Sequence, residues 1–176
     1  MATDKGVWGL QQVRDKQLQD LWNYSSTQYG EAYAVGWNSQ GRLGLNDTTH
    51  RSSPTQIPGT TWGTSIGNGR MGSGVGETWS HIIRTDGTLW GMGSGTGKLG
   101  LNNNTEFSSP KQVGSDTTWR SLSTSWTQTI STKTDGTFWT WGEQGSGQGG
   151  HSNQTVYSSP RQVGSDDTWS EWVCNS

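Results

Sequence analysis

One tripeptide that recurs along this chain of 176 residues constrains its fold more than any other feature. Ser-Ser-Pro occurs three times, and after each copy a tryptophan closes the unit; these positions are Pro54, Pro110, Pro160, Trp62, Trp119 and Trp169. The prolines are 56 and 50 residues apart. A period near fifty residues is typical of propeller blades. The sequence therefore predicts an all-β chain with about three propeller-like blades of antiparallel strands.

Each unit divides into about four short strands with alternating large and small residues. In the second and third units, Thr-Asp-Gly-Thr predicts a two-residue type I′ hairpin turn, because Asp-Gly accepts positive φ angles. The residues concerned are Asp86, Gly87, Asp135 and Gly136. Proline suits a strand start or a sheet edge. We place the repeat domain at 28–176, with units at approximately 28–62, 63–119 and 120–176.

The units differ in three places. The first has Gln28-Tyr29-Gly30-Glu31 where the others have the Asp-Gly hairpin. The third has Gly149-Gly150 where the others have Leu43-Gly44 and Leu99-Gly100. An insert at 63–78 lengthens the second unit, and it is predicted either as a loop or as an extra strand pair.

Composition supports a folded chain with a tryptophan-rich core. Only 27% of residues are hydrophobic, but the net charge is −2 and there are 12 tryptophans, each able to bury roughly 150–250 Å². There is no basic excess, so no nucleic-acid partner is predicted. No apolar run approaches the ~20 residues of a membrane span. The start MATDKGVWGL shows no secretory core, so no signal peptide is expected. Cys174 is the only cysteine, which excludes an internal disulfide.

The glycine-rich stretch GMGSGTGKLG at 91–100 resembles a phosphate-binding loop only superficially. A P-loop needs Gly five positions before Gly97 and Ser or Thr after Lys98, but Met92 and Leu99 stand there. Its counterparts, VGWNSQGRLG and WGEQGSGQGG, keep glycines but not lysine. We therefore interpret the stretch as a bend between strands. Its lysine, which becomes Arg42 and Gln148 elsewhere, is expected to face solvent.

No group of residues predicts catalysis. The histidines His50, His81 and His151 lie in different parts of their units, with no spacing typical of a metal site. The recurring Asp-Gly aspartates are explained by their turns. We expect no catalytic, cofactor or metal site, and hence a protein that is not an enzyme.

The N-terminal segment 1–27 has a different composition from the repeats. Four apolar residues, Leu10, Val13, Leu18 and Leu21, approximate a helical stripe, which predicts a short amphipathic helix from about 9 to 22. Either this helix caps the first blade or it docks a partner. We take these four residues, Trp22 and the C-terminal Trp172 as candidate partner contacts. The balanced charges argue against membrane binding.

The motifs Thr-Asp-Gly-x-Leu-Trp-x-x-Gly, Gly-x-Leu-Gly and Ser-Pro-x-x-Val, over roughly 28–174, resemble the repeats of the regulator of chromosome condensation family. That resemblance implies β-propeller blades, usually seven per protein. Closed propellers have about 4–8 blades, so about three blades leave two sheet edges to be covered. Other copies, other proteins or the chain's own terminal segments are the candidates. The family's nucleotide-exchange activity is not expected, because it needs a complete propeller surface and basic DNA-contacting segments.

The run Gly-Val-Trp-x-Leu-Gln-x-Val-Arg-Asp at the N-terminus, followed directly by such repeats, resembles short proteins encoded by marine tailed bacteriophages. It implies a virion protein, such as a capsid decoration, a fibre or a tail component, assembled in the host cytoplasm. The implied partners are other virion proteins and copies of the chain itself. The alternative is a module that binds host-surface glycans through exposed tryptophans and loop residues.

Overall fold

The computed structural model describes residues 30–63, 73–75 and 78–169. Its strands are β1 (Tyr33–Gly36), β2 (Arg51–Gln56), β3 (Ser73–Val75), β4 (Trp79–Ile83), β5 (Leu89–Gly93), β6 (Phe107–Gln112), β7 (Trp119–Thr124), β8 (Gln128–Lys133), β9 (Phe138–Gly142) and β10 (Tyr157–Gln162). The predicted helix at 9–22 and the candidate contacts Leu10, Val13, Leu18, Leu21, Trp22 and Trp172 lie outside the described residues.

These strands form three antiparallel sheets. We call β1–β2 blade 1, β3–β4–β5–β6 blade 2 and β7–β8–β9–β10 blade 3, in the order in which neighbouring strands pair. The prediction of an all-β chain with about three blades is confirmed. The three Ser-Ser-Pro motifs lie in β2, β6 and β10, which are edge strands of their sheets, where a proline removes no ladder hydrogen bond.

The insert in the second unit falls within the first strand of blade 2. Trp62 forms a bridge with Arg84, just as Trp119 pairs with Lys133 in blade 3. The pairing resumes at Ser73, which is paired with Ile82. Trp62 and β3 thus take the pairing positions that Trp119 and residues 122–124 of β7 take in blade 3. Residues 64–72 lie outside the described residues.

The predicted type I′ hairpin turns are wrong. In blade 2 the Gly87 N–H donates to the Arg84 carbonyl at 2.9 Å, and the Arg84 N–H donates to the Thr88 carbonyl at 2.9 Å. Only Gly87 has a positive φ, of 79°, so the loop is a three-residue turn with a glycine bulge. The reason lies in Asp86, whose carboxylate accepts the Thr88 N–H at 2.9 Å and holds the aspartate in a negative-φ conformation.

The apolar core lies between the faces of neighbouring blades. Between blades 1 and 2 the buried residues are Ile57, Trp62, Ile82 and Met92. Between blades 2 and 3 they are Ile83, Leu89, Val113, Trp119, Leu122 and Trp141. Each blade is therefore stabilised chiefly by contact with the next one.

Candidate interaction surfaces

A backbone hydrogen bond from a loop asparagine to an edge strand recurs between neighbouring blades. The N–H of Asn46 in blade 1 donates to the Ser108 carbonyl of blade 2 at 2.8 Å. The N–H of Asn102 in blade 2 donates in the same way to the Ser158 carbonyl of blade 3 at 2.8 Å. Both asparagines have positive φ angles, of 62° and 55°, which aim the N–H at the neighbouring edge strand. The blades are thus joined by a repeated hydrogen bond in addition to their apolar faces.

Glycines let the backbones approach at these joints. A Cβ at Gly44 would collide with the Met92 sulfur of blade 2 and lie 3.4 Å from Pro110. A Cβ at Gly100 would lie 3.0 Å from Trp141 Nε1 of blade 3. The Trp141 indole also donates to the Lys98 carbonyl at 3.0 Å. Residues 94–100 lie between β5 and β6, as the interpretation of a bend predicts, whereas residues 91–93 are the end of β5. The bend is also a joint between blades 2 and 3.

The expectation that Lys98 faces solvent is wrong. Its side chain is only 14% exposed, and its ammonium lies 3.1 Å from the Glu143 carboxylate of blade 3. The same ammonium lies 4.8 Å from the centre of the Trp79 ring. A lysine can occupy such a position because its alkyl stem packs on apolar surface while its head group reaches an anion.

The joint surfaces recur on blades 3 and 1 without a described neighbour. On blade 3, Gly147, Gly150 and Ser152 repeat the positive φ angles of the joints, at 77°, 77° and 56°. We call these three residues the donor face. On blade 1, Val35 and Ser52 stand where Met92 and Ser108 stand in blade 2, and with Pro54 they form what we call the acceptor face. Both faces are exposed.

Cations held by pairs of tryptophans mark the start of blades 2 and 3. The Arg84 guanidinium lies 4.3 Å from the Trp62 ring and 4.0 Å from the Trp90 ring. The Lys133 ammonium lies 4.7 Å from the Trp119 ring and 3.8 Å from the Trp139 ring. Trp62 and Trp119 are buried, whereas Trp169 is 39% exposed and stacks on Phe138 at 5.2 Å.

The aspartates of the hairpins support these tryptophans. Asp86 accepts the Thr88 hydroxyl at 2.6 Å, and the Thr88 hydroxyl in turn accepts the Trp90 indole N–H at 2.8 Å. Blade 3 repeats the chain from Asp135 to Thr137 at 2.7 Å and to Trp139 at 2.8 Å. The hydrogen bond from the threonine hydroxyl is the main cause that lowers the pKa of each aspartate. These contacts account for both carboxylates as structural groups.

Three tryptophans in the described part of the chain are exposed. Trp126, in the turn between β7 and β8, is 67% exposed, Trp37 is 42% exposed, and Trp169 is 39% exposed. The sequence predicted exposed tryptophans without identifying them, because exposure depends on where each blade meets the next. Trp126 offers the largest accessible indole surface of the three.

The Asn- and Thr-rich loops are exposed and locally braced. Asp47, Asn103 and Asn153 each accept the N–H of the residue two positions later at 2.9 Å. Such side-chain turns fix a loop without burying it. The loops before β2, β6 and β10 therefore present a repeated, ordered polar surface.

The three histidines are held by contacts within one blade or between two blades. His81 is buried between blades 2 and 3, with Nε2 3.1 Å from the Leu99 carbonyl, and burial lowers its pKa to about 4. His50 accepts the Asn38 N–H at 3.0 Å, and His151 lies 2.9 Å from the Thr140 hydroxyl. Within the described ranges, no group of three or more His, Cys, Asp or Glu residues is placed to hold a metal ion. No helix among these residues is long and apolar enough to span a membrane.

Comparison with known proteins agrees with the propeller reading. The family model of the Regulator of chromosome condensation (RCC1) repeat matches residues 29–74, and no curated protein matches the chain significantly. Human WBSCR16 has a similar structure over 78% of this chain and 34% of its own, with TM-score 0.62 and 23% identity.

Two structures of the yeast protein Prp20 are also similar. Prp20p from Saccharomyces cerevisiae, whose binding to Gsp1p and histones is described, matches 80% of this chain and 36% of its own, with TM-score 0.62 and 16% identity. Yeast RCC1 (Prp20) bound to Kap60 matches 84% and 37%, with TM-score 0.61 and 15% identity. The chain spans about a third of the length of these structures. The predicted RCC1-type propeller fold is confirmed.

Proposed function

We propose that this protein is a non-enzymatic structural component of a bacteriophage virion, such as a capsid decoration, a fibre or a tail component. It acts through contacts with other virion proteins and with copies of itself. The N-terminal segment and Trp172 remain candidate contacts.

The observation that carries the protein-binding part is the pair of exposed joint surfaces. The donor and acceptor faces have the chemistry that holds one blade to another, but they have no described neighbour. Prp20p, whose structure is similar, binds Gsp1p and histones and is also seen bound to Kap60. The virion part is supported by the resemblance of the N-terminal run to phage-encoded proteins.

Mass spectrometry of gradient-purified particles tests the virion part. Peptides of this chain should sediment with infectious particles of the encoding phage and remain after nuclease treatment and a high-salt wash. Immunogold labelling should then decorate one part of the particle. Absence of the chain from purified particles, with known structural proteins present, would refute the virion role.

A second function, binding of host-surface glycans, is favoured by the exposure of Trp126. Sugars stack on accessible indole faces, and this side chain is 67% exposed. A glycan array with the full chain is the first test, followed by a fluorescence titration of any hit. Trp126→Ala should abolish binding, whereas Trp79→Phe, at a position with 0% exposure, should leave it unchanged. If no glycan on a broad array binds the chain, the glycan-binding function is refuted and only the structural role remains.

A further inference from the structure

We propose that the donor face of blade 3 binds the acceptor face of blade 1 in a second copy of this chain. The contact is the one that already joins blade 1 to blade 2 and blade 2 to blade 3. This inference rests on the protein-binding part of the proposed function and is independent of the virion role.

The donor face repeats the backbone of a joint that has no partner within the described residues. Gly41 and Gly97, the counterparts of Gly147, are buried, and a Cβ at Gly97 would lie 3.6 Å from Ser158 of the next blade. At Gly147 no described atom lies within 4 Å of that position, and the glycine is exposed.

The other two residues of the donor face show the same contrast. Gly150 is exposed where Gly44 and Gly100 are buried, and a Cβ there would touch only Val163 of its own blade. Ser152 has the φ of 56° that aims the N–H of Asn46 and Asn102 at a neighbouring edge strand. Its N–H is therefore directed at a place where the joints put a serine carbonyl.

The acceptor face supplies the complementary groups. Ser52 is exposed, whereas its counterparts Ser108 and Ser158 are partly buried by the preceding blade. The carbonyls of these two serines accept an asparagine N–H from that preceding blade. Val35 is 54% exposed, whereas its counterparts Met92 and Trp141 are 1% and 0% exposed. Val35 is thus an apolar side chain at the position where Met92 and Trp141 pack on a glycine of the preceding blade.

The second copy is the occupant that these observations specify. The donor face has the backbone geometry of this chain's own joints, and the acceptor face has the matching serine, proline and apolar residue. Because the two faces differ, the contact is head to tail, and such contacts close into rings when the rotation permits. Two copies would bring together six repeat units, three from each, within the range of about 4–8 blades of closed propellers.

Analytical ultracentrifugation of the full chain, over a concentration series, is the first test. We expect a species of twice 19.2 kDa or more. Val35→Arg places an unpaired charge in the contact and should weaken self-association at least about tenfold. Val35→Trp, which copies the residue of blade 3, should strengthen it. Trp126→Arg, a matched change of an exposed apolar residue outside both faces, should leave it unchanged.

Disulfide trapping tests the register of the contact. In the joint, the Asn102 and Ser158 side chains approach to 3.3 Å, so Asn102→Cys with Ser158→Cys should form a disulfide within one chain. Ser152→Cys with Ser52→Cys, in a Cys174→Ser background, should form one between chains under the same mild copper oxidant. Ser152→Cys alone should give far less covalent dimer.

Two results would overturn the inference. One is a monomer at every concentration with no Ser152–Ser52 crosslink, while the control disulfide forms. The other is a monomer in which Val35→Arg lowers the melting temperature, because the chain's own undescribed segments would then cover the acceptor face. Either result, with the chain still present in purified particles, would leave the virion role intact. Self-association of a chain that is absent from purified particles would support the contact between copies and refute the virion role.

Discussion

Blades 2 and 3 have the same backbone, but their central strands are built from different residues. In blade 2, β4 contributes the buried Ile82 and Ile83, which pack against blades 1 and 3 respectively. In blade 3, β8 is buried along its whole length, but its buried residues are polar apart from Ile130. The central strand of blade 2 is therefore stabilised mainly by apolar burial. In the central strand of blade 3, hydrogen bonds contribute more.

Three polar side chains of the buried strand in blade 3, those of Ser131, Thr132 and Lys133, have hydrogen-bond or ion-pair partners. The Ser131 hydroxyl donates to the Ser121 carbonyl at 2.6 Å, and the Ser121 hydroxyl hydrogen-bonds the Thr132 hydroxyl. The buried Lys133 ammonium reaches Asp116 at 2.8 Å. The two blades share instead the glycine bulge, the Asp-Thr-Trp chain and the cation between tryptophans. The repeat thus specifies backbone geometry, while the filling between blades can change.

Alanine at the hairpin glycines should produce the largest effect and should do so equally in both blades. Gly87 has a φ of 79° and Gly136 a φ of 84°, and a Cβ at either would collide with the carbonyl of Thr117 or Asp167 in the following connection. We expect each Gly→Ala change to lower the free energy of unfolding by about 4 kcal/mol, from strain plus collision.

Gly114→Ala is the matched control for that pair. Gly114 has a φ of 63° but no described atom within 4 Å of its Cβ position, so only backbone strain applies, about 1 kcal/mol. Urea titrations of the three variants provide the measurement. A much smaller loss of unfolding free energy at Gly136 than at Gly87 would show that the two hairpins do not impose the same backbone constraint.

Acid should weaken blade 2 through a residue that blade 3 lacks. His81 has its pKa lowered from 6.5 to about 4 by burial, and Ile130 stands at its position in blade 3. Below pH 6.5 the unfolded chain binds a proton that the folded chain takes up only near pH 4. Stability should therefore fall by about 3 kcal/mol as the pH drops through this interval and then level off.

His81→Ile, which copies blade 3, removes that titration. Denaturant midpoints of the variant should change less than those of the wild type between pH 7 and pH 4. Equal pH slopes in the two proteins would contradict the assignment of the effect to His81.

The sequence predicts the blades well because the residues at their structurally constrained positions recur in every unit or in two of the three. The prolines, the Asp-Gly pairs and the closing tryptophans recur in register, and each corresponds to an edge strand, a turn or a blade start. The hairpin type was not predictable from Asp-Gly alone, because it depends on the hydrogen bond that the Asp86 carboxylate accepts from the Thr88 N–H. Lys98 was misassigned because its neighbour in space, Glu143, is 45 positions away in the sequence.

The joint surfaces were visible only in part. The glycines of the loops could be aligned, but not the fact that Gly44 and Gly100 lie over side chains of the next blade. The departure Gly149, where the other units have leucine, is compensated by Gln144, which is 0% exposed and fills the space a Cβ there would need. Such a compensation depends on three-dimensional proximity within one loop.

Removing the hairpin aspartates should have a smaller effect, again equal in both blades. Asp86→Ala and Asp135→Ala each lose hydrogen bonds to the following threonine, and each should cost about 1 kcal/mol because the carboxylates are exposed. The lowered pKa of each group means that its contribution is present above about pH 4 and is lost as the pH falls further. Urea titrations at pH 7 and pH 3 check both parts. A variant whose deficit persists at pH 3 would contradict the role of the charge.

The smallest effect is expected at the ion pair that crosses from blade 2 to blade 3. Lys98 and Glu143 approach to 3.1 Å, but the Glu143 side chain is 47% exposed, so Glu143→Gln should cost about 0.5 kcal/mol or less. Lys98→Met should cost no more, because its stem can still pack on Trp79. The wild type should lose this small advantage in about 1 M salt, where screening acts over roughly 3 Å. A larger loss of unfolding free energy that persists at high salt would mean that the joint depends on this ion pair. It would then not depend mainly on the Asn102–Ser158 hydrogen bond and on the packing of Trp141 against Gly100. The same test bears on blade 3, where Gln148 replaces the lysine: a joint that needs no ion pair can form there as well.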